Sequence, residues 1–313
     1  MLDCTDRHER FLARLISRHA VLYTEMITTG AMIHGDRPKF LDFDESEHPV
    51  ALQLGGSEVA AMTQCAELVQ EWGYDEVNIN VGCPSDRVQS GSFGACLMQT
   101  PELVAENVKA MMSAVDIPVT VKCRIGVDEQ EPRESLWRLV DLCAEAGCET
   151  FLVHARKAWL KGLSPKQNRD VPPLDYPLVY ELKRAFPELE IVINGGVTTI
   201  EQCQEHLKYV DGVMMGREAY SNPYIMASVD GLLYGDERKP LSRDEVLQAY
   251  TQYISDNIRE GVRLNHMSKH VVGLYHGEPS SRLFRRHISQ NAHLPGADES
   301  VLIDAHSSMV VGF

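Results

Sequence analysis

Short runs of β-branched and apolar residues alternate with longer stretches of three-to-four-residue apolar spacing from the first residues to about position 215. The short runs predict strands at Val21–Met26, Val50–Leu54, Glu76–Asn80, Pro118–Arg124, Glu149–His154, Glu190–Asn194 and Asp211–Met215. The longer stretches predict helices. Thr5–Arg18 carries Phe11, Leu12, Leu15 and Ile16 on one side. Ser57–Trp72 has Ser57 as its N-cap, and Pro101–Ala114 has proline in the first turn. Arg133–Ala146, Pro177–Phe186 and Thr199–Leu207 complete the set. A strand followed each time by a helix or a long loop predicts a parallel sheet.

Seven such units, with glycine and polar residues gathered at the strand ends, predict an α/β fold of the (β/α)8 TIM-barrel type rather than an open doubly wound sheet. No GxGxxG follows the first strand, which argues against a dinucleotide fold. The eighth strand falls before the first predicted helix. Met1-Leu2-Asp3 reads as its tail, so the barrel is expected to be truncated at its first strand. Beyond about Gly235 the pattern is helical throughout. Ser242 and Glu245 form a capping-box pattern, and helices are predicted at Val246–Glu260, Leu264–Tyr275, Ser280–Ala292 and Asp298–Met309. The division is therefore a barrel domain over residues 1–235 and a small all-α domain over 236–313.

At 313 residues, 44% hydrophobic and 24% charged, the chain has the composition of a soluble globular protein. No apolar run reaches the ~20 residues that span a bilayer, and no signal-peptide pattern opens the chain, so membrane attachment is not expected and a cytoplasmic location is. The eight cysteines show neither CxxC pairs nor His/Cys ligand spacing, which predicts reduced thiols and no metal. The net charge of −15 argues against general affinity for nucleic acid, but two windows depart from it. Residues 154–169 hold Arg156, Lys157, Lys161, Lys166 and Arg169 with no acid, and residues 262–293 hold five Lys/Arg and five His against Glu278 alone. Basic windows are usually solvated faces; two on an acidic chain invite a polyanion.

The chemistry concentrates at strand ends. Gln53, Asn80, Lys122, His154 and Asn194 close five successive strands, and alternating rim positions of a barrel converge on one mouth. Each alone reads as an ordinary surface or hydrogen-bonded residue; the five together do not. Cys83 follows the third predicted strand in Gly82-Cys83-Pro84. The bland reading of such a residue is a small buried thiol in a turn. Asn194-Gly195-Gly196 and Gly216-Arg217 follow the last two strands, where barrels commonly hold phosphate on backbone N–H groups. Lys122 points inward and suits either an anion or a Schiff base. Gln53 offers a donor and an acceptor to a uracil-like edge.

The segments GYDEVNINVGCPSDRVQSGSFGACLM, VTVKCRIG, VHARKAWLKGLSPKQNRDVPPLDY, INGG and DGVMMGREAY, with SSRLFRRHISQNAH near the end, closely resemble the tRNA-dihydrouridine synthases of the A subfamily over nearly the whole chain. The resemblance implies an FMN-dependent barrel with a helical C-terminal domain. It implies NADPH-driven reduction of the C5–C6 bond of D-loop uridines at positions 20 and 20a of tRNA. Hydride passes from reduced FMN to C6, and Cys83 gives the proton to C5 as general acid. By the same resemblance Met1, Leu2, Asp3, Gln53, Lys122, His154, Asn194, Gly195, Gly196, Gly216 and Arg217 contact FMN. Asn80, Lys166, Arg169, Arg282 and Arg285 contact tRNA. The protein is expected to act as a monomer. The alternatives are a flavin barrel reducing a free pyrimidine or enone, a Schiff-base lyase using Lys122, and a tRNA-binding protein made inactive by a missing strand.

Overall fold

The computed structural model describes residues 1–85 and 91–310. Seven strands form one sheet in sequential order: β1 Leu22–Thr28, β2 Val50–Gly55, β3 Glu76–Val81, β4 Val119–Arg124, β5 Thr150–His154, β6 Glu190–Asn194 and β7 Gly212–Met214. The sheet curls as a half-barrel with β1 and β7 at the ends of its order. Registers from β2 to β7 are parallel. The α/β barrel-type expectation and all seven strands hold, and no eighth strand lies among the described residues. Helices Val59–Glu71, Pro101–Met112, Pro132–Glu145, Tyr176–Ala185 and Ile200–His206 alternate with the strands.

Register assigns the two faces. Val77 pairs with Val119, Ile79 with Val121 and Val81 with Cys123, all on one side. Asn78 pairs with Thr120 and Asn80 with Lys122 on the other. The apolar set is buried almost completely, and each such side chain contributes about 1.5–3 kcal/mol. The polar set lines the opposite face, where Gln53, Asn78, Asn80, Thr120 and Arg124 are also buried. Polar residues are retained there because each finds a hydrogen-bond partner.

Helix starts follow cap chemistry. Ser57 was the expected cap of the second helix, but the cap is Glu58, whose carboxylate accepts from the N–H groups of Ala60 and Ala61 at 3.1 and 2.7 Å. The helix therefore starts one residue later, with a longer side chain reaching the same orphan donors. Asp175 and Thr199 cap the helices that begin at Tyr176 and Ile200, the latter with a full capping box to Gln202.

Contacts divide the chain into two compact units. The first is Met1, Tyr23–Phe43 and His48–Gly216; the second is Leu2–Leu22, Asp44–Glu47 and residues 217 onward. The sequence pattern put the division at 235/236 with the N-terminal helix in the barrel domain. Helix Arg7–Ile16 instead packs with the helices Arg243–Arg259 and Leu264–Val271 of the second unit. Asp6 caps this helix and also meets His270 Nε2 at 2.9 Å and Lys269 Nζ at 3.2 Å. Arg10 and Glu47 form a buried pair at 2.6 Å. Ser17 Oγ donates to Asp230 at 2.5 Å. Helical periodicity reveals a buried face, not the partner more than 200 positions away.

The capping box of Ser242 and Glu245 forms as expected. The next helix ends at Val271, short of the expected Tyr275. A Cβ on Gly273 would lie 2.5 Å from the Ser221 carbonyl oxygen, so the chain turns where only glycine admits that approach. His19, Asp230 and Asp236 gather in this unit, but Ser17, the Arg18 backbone N–H and Arg238 already occupy the carboxylates. No helix among the described residues is long and apolar enough to cross a membrane.

Candidate active site

β3 ends at Val81, and the chain turns through Gly82 and Cys83 with both N–H groups donated to Asn80 Oδ1, at 3.0 and 2.5 Å. The Cys83 carbonyl accepts from Ala95 N at 2.9 Å, and the thiol donates to Ser85 Oγ at 3.5 Å. The half-buried cysteine is thus held on both sides of its backbone at the C-terminal end of a strand. Residues 86–90 of the motif lie outside the described residues. Phe93 comes back onto the rim, where a Cβ on Gly55 would sit 2.8 Å from its ring.

Five other cysteines, Cys65, Cys123, Cys143, Cys148 and Cys203, are buried. Burial pushes Cys65 and Cys203 up to about 11, and Cys123 and Cys148 up to about 12. Cys143 rises further for the same reason. These are packing residues.

The five rim residues come together as expected. Asn80 Nδ2 donates to Gln53 Oε1 at 2.7 Å, and Asn80 is the register neighbour of Lys122. Lys122 Nζ donates to Asn194 Oδ1 at 3.0 Å, and Asn194 Nδ2 donates to the Met214 carbonyl at 2.7 Å. His154 is paired in register with Asn194, and its ring lies against Gly195. Gly195 and Gly196 have φ of 114° and 73°, values that side-chain-bearing residues avoid. Tyr176 Oη donates to the Gly195 carbonyl at 2.7 Å. Gly216 lies near Met1 Sδ. Leu2 and Asp3 are exposed in the second unit, as is Arg217, which opens the helix Arg217–Ser221.

Burial pushes Lys122 down to about 8, with the Arg124 charge adding to the effect. Its surface exposure is intermediate, so the side chain is not sealed from the mouth. No carboxylate among the described residues pairs with it; its bond is to a neutral amide. A cation held this way fits an anionic group, such as the N1–O2 edge of a reduced flavin.

Two residues carry positions that the sequence reading passed over. Arg124, 4% exposed, donates Nε to the Gly82 carbonyl at 3.0 Å, and Nη1 to the carbonyls of Lys157 and Asn168 at 3.1 and 2.8 Å. It joins the cysteine loop to the basic loop after β5. Its signal was present: it stands two places beyond Lys122 on an alternating strand. Asn168 is fully buried and closes the basic loop. Its Nδ2 donates to the Trp159 and Leu163 carbonyls, and its Oδ1 accepts from Trp159 N. Lys166 and Arg169 are exposed on either side of it. Nothing in the sequence marked it. In the second unit Arg282 and Arg285 are exposed on helix Ser281–Asn291, opposite the buried Phe284 and Ile288.

A family model described as dihydrouridine synthase (Dus) matches residues 1–309. The chain belongs to the dihydrouridine synthase family. Members similar to it include the tRNA-dihydrouridine(20/20a) synthases of Shewanella oneidensis, 56% identical over 99% of this chain and 92% of that protein, and of Vibrio cholerae, 55% identical over 97% and 93%. That of Escherichia coli K12 is 54% identical over 96% of this chain and 88% of its own length. Among solved structures, a 2-naphthoyl-CoA reductase complex superimposes with a TM-score of 0.57 at 12% identity. That match covers 77% of this chain and 47% of the other, and shows the fold alone.

Proposed function

We propose that the protein is an FMN-dependent, NADPH-driven tRNA-dihydrouridine synthase acting on D-loop uridines; the positions 20 and 20a are those that its relatives' names carry. The observation that carries this reading is the anchored Cys83 in the same mouth as the half-buried Lys122, which no carboxylate among the described residues pairs. When bound, FMN supplies the hydride. Gln53, Lys122, His154 and Asn194 would hold the ring, and the backbone of Gly195, Gly196 and Gly216 would accommodate the phosphate.

Cys83 donates a proton to C5 of the base and works as the thiol, not the thiolate. Asn80 keeps the cysteine backbone fixed while the base enters. Lys122 would offer its ammonium to the ring as a counter-charge. A uridine must leave its stack to reach a barrel mouth, which costs a few kcal/mol, least in a single-stranded loop. Lys166 and Arg169 in the first unit, and Arg282 and Arg285 in the second, supply phosphate contacts that offset this cost. The protein acts as a monomer in the cytoplasm.

The test is direct. Protein reconstituted with FMN and NADPH is given unmodified tRNA and, separately, free uridine. Dihydrouridine at positions 20 and 20a, with free uridine left untouched, is the expected result. Equal reduction of free uridine overturns the tRNA assignment.

A further inference from the structure

The inward face of β3 is polar along its whole length: Glu76, Asn78 and Asn80. Such a face belongs in a barrel interior only if its partners are exact, and here they form one chain. The N–H groups of Gly82 and Cys83 donate to Asn80 Oδ1. Asn80 Nδ2 donates to Gln53 Oε1 at 2.7 Å, and Gln53 Nε2 to Asn78 Oδ1 at 2.9 Å. Asn78 Nδ2 donates to Thr120 Oγ1 at 2.8 Å, and Thr120 Oγ1 to Glu76 Oε1 at 2.5 Å. Tyr23 Oη donates to the same Glu76 oxygen at 2.8 Å.

Every bond runs in one direction. The two ends compel it. A backbone N–H can only donate, so Asn80 must offer its oxygen upward and its nitrogen downward. Burial raises the Glu76 carboxyl above its ordinary range, but Oε1 takes both Thr120 and Tyr23 and so accepts in either charge state; Thr120 therefore turns its hydrogen down and takes the Asn78 amide from above. The three amides between are then fixed. Reversing any one sets donor against donor on one side and acceptor against acceptor on the other, and each orphaned buried group costs about 1–3 kcal/mol.

Remove the lower acceptor and that compulsion weakens. One orphaned donor at the bottom then offsets one of the two N–H groups that reversal would orphan at the top, so the bias toward this sense narrows and the reversed sense is more populated than in the parent. The reversed sense turns Asn80 Nδ2 toward the Gly82 and Cys83 N–H groups and frees that side of the loop, while Ala95 and Arg124 still hold its carbonyls. Both lower donors share Oε1, so a glutamine at 76 that keeps its carbonyl there preserves the sense.

We propose that Glu76, Thr120 and Asn78 are positioning residues for the reaction: a one-way hydrogen-bond relay fixes the amide faces of Gln53 and Asn80 and, through Asn80, the backbone of Cys83. Glu76 acts from four residues down the strand, about 13 Å below Asn80. The inference deepens the reading of Cys83 as proton donor and rests on it.

The experiment compares Thr120→Val, which is isosteric, with Glu76→Leu and Glu76→Gln in the full chain. Two readouts are taken. The first is kcat and KM for tRNA. The second is the rate of Cys83 alkylation by N-ethylmaleimide without tRNA or NADPH, resolved by peptide mass spectrometry. Thr120→Val and Glu76→Leu should lower kcat about tenfold with KM within about twofold, and should change Cys83 alkylation severalfold. Glu76→Gln should match the parent in both. A folded Thr120→Val protein with the parent's kcat and alkylation rate overturns the relay, as does Glu76→Gln behaving like Glu76→Leu. If alkylation shifts as expected but Cys83→Ala keeps full turnover, the relay stands and the proton-donor reading falls. Should Glu76→Leu fail to fold, the Thr120→Val result decides.

Discussion

Arg124 offers the sharpest mutational test of how the site is built. Its guanidinium is enclosed and supplies three hydrogen bonds to main-chain oxygens of Gly82, Lys157 and Asn168. Burial holds it down to about 10, and it remains charged at neutral pH. Arg124→Ala strands three carbonyls at about 1–3 kcal/mol each, less what water entering the vacated space restores, for a net loss of about 3–5 kcal/mol. At about 2–4 °C per kcal/mol for a unit of this size, the transition of the barrel unit should fall by roughly 10 °C. Arg124→Lys restores one point donor in place of a fork and should recover at most roughly a third of the loss. The Gly82 bond should tie this loss to function: kcat for dihydrouridine formation falls, and tRNA affinity falls with it because the basic loop shares the same anchor. Thermal unfolding by circular dichroism and steady-state kinetics on tRNA provide the assay. An Arg124→Ala protein melting within about 2 °C of the parent would refute the reasoning, since the three bonds would then contribute nothing measurable.

Lys122→Met should stabilise the fold while abolishing dihydrouridine formation. The folded value of about 8 lies below the ordinary 10.5, so the unfolded chain binds more protons between them, stability rises with pH across that window, and the full penalty is present below it. Less the bond to Asn194, removing the ammonium should gain roughly 2 kcal/mol at pH 7, read as a raised Tm and a lost pH slope. The second unit should be acid-labile. Burial pushes His8 down to about 4, so stability is lost as pH falls from 6.5 to 4, and His8→Phe should flatten that limb in an acid titration. Burial works to raise Asp6, but His270 and Lys269 outweigh it and hold the carboxyl well below the usual range, so its contribution, present above about 4, fades only on further acidification. Arg282→Ala with Arg285→Ala should lower tRNA modification and reduce the slope of log affinity against log salt by about 2, leaving NADPH oxidation nearly intact; equal loss of both activities would count against that role.

Much of the barrel was legible because strand and helix periods differ and each βα unit is local. Gln53, Asn80, Lys122, His154 and Asn194 were legible as a set because a parallel register brings C-terminal strand ends to one rim. Other features depend on distant partners. Glu58 displaced Ser57 as a cap through side-chain reach, which no residue preference encodes. The helix at Arg7 belongs with residues beyond 217 because Asp6 meets His270 and Ser17 meets Asp230, while Arg10 ties Glu47 to the same unit. Asn168 looked like a polar loop residue, and its role rests on carbonyls that the folded loop turns toward it. Glu76 and Thr120 looked like ordinary strand residues until the direction of their bonds was fixed.

The central claim is that the thiol at position 83 protonates the reduced uracil. Single-turnover formation of dihydrouridine by Cys83→Ala protein, loaded with FMN and reduced before tRNA is added, tests it most directly. Loss of a general acid should slow the step about a hundredfold or more while flavin reduction by NADPH proceeds unchanged. Formation of dihydrouridine within about threefold of the parent rate would contradict it.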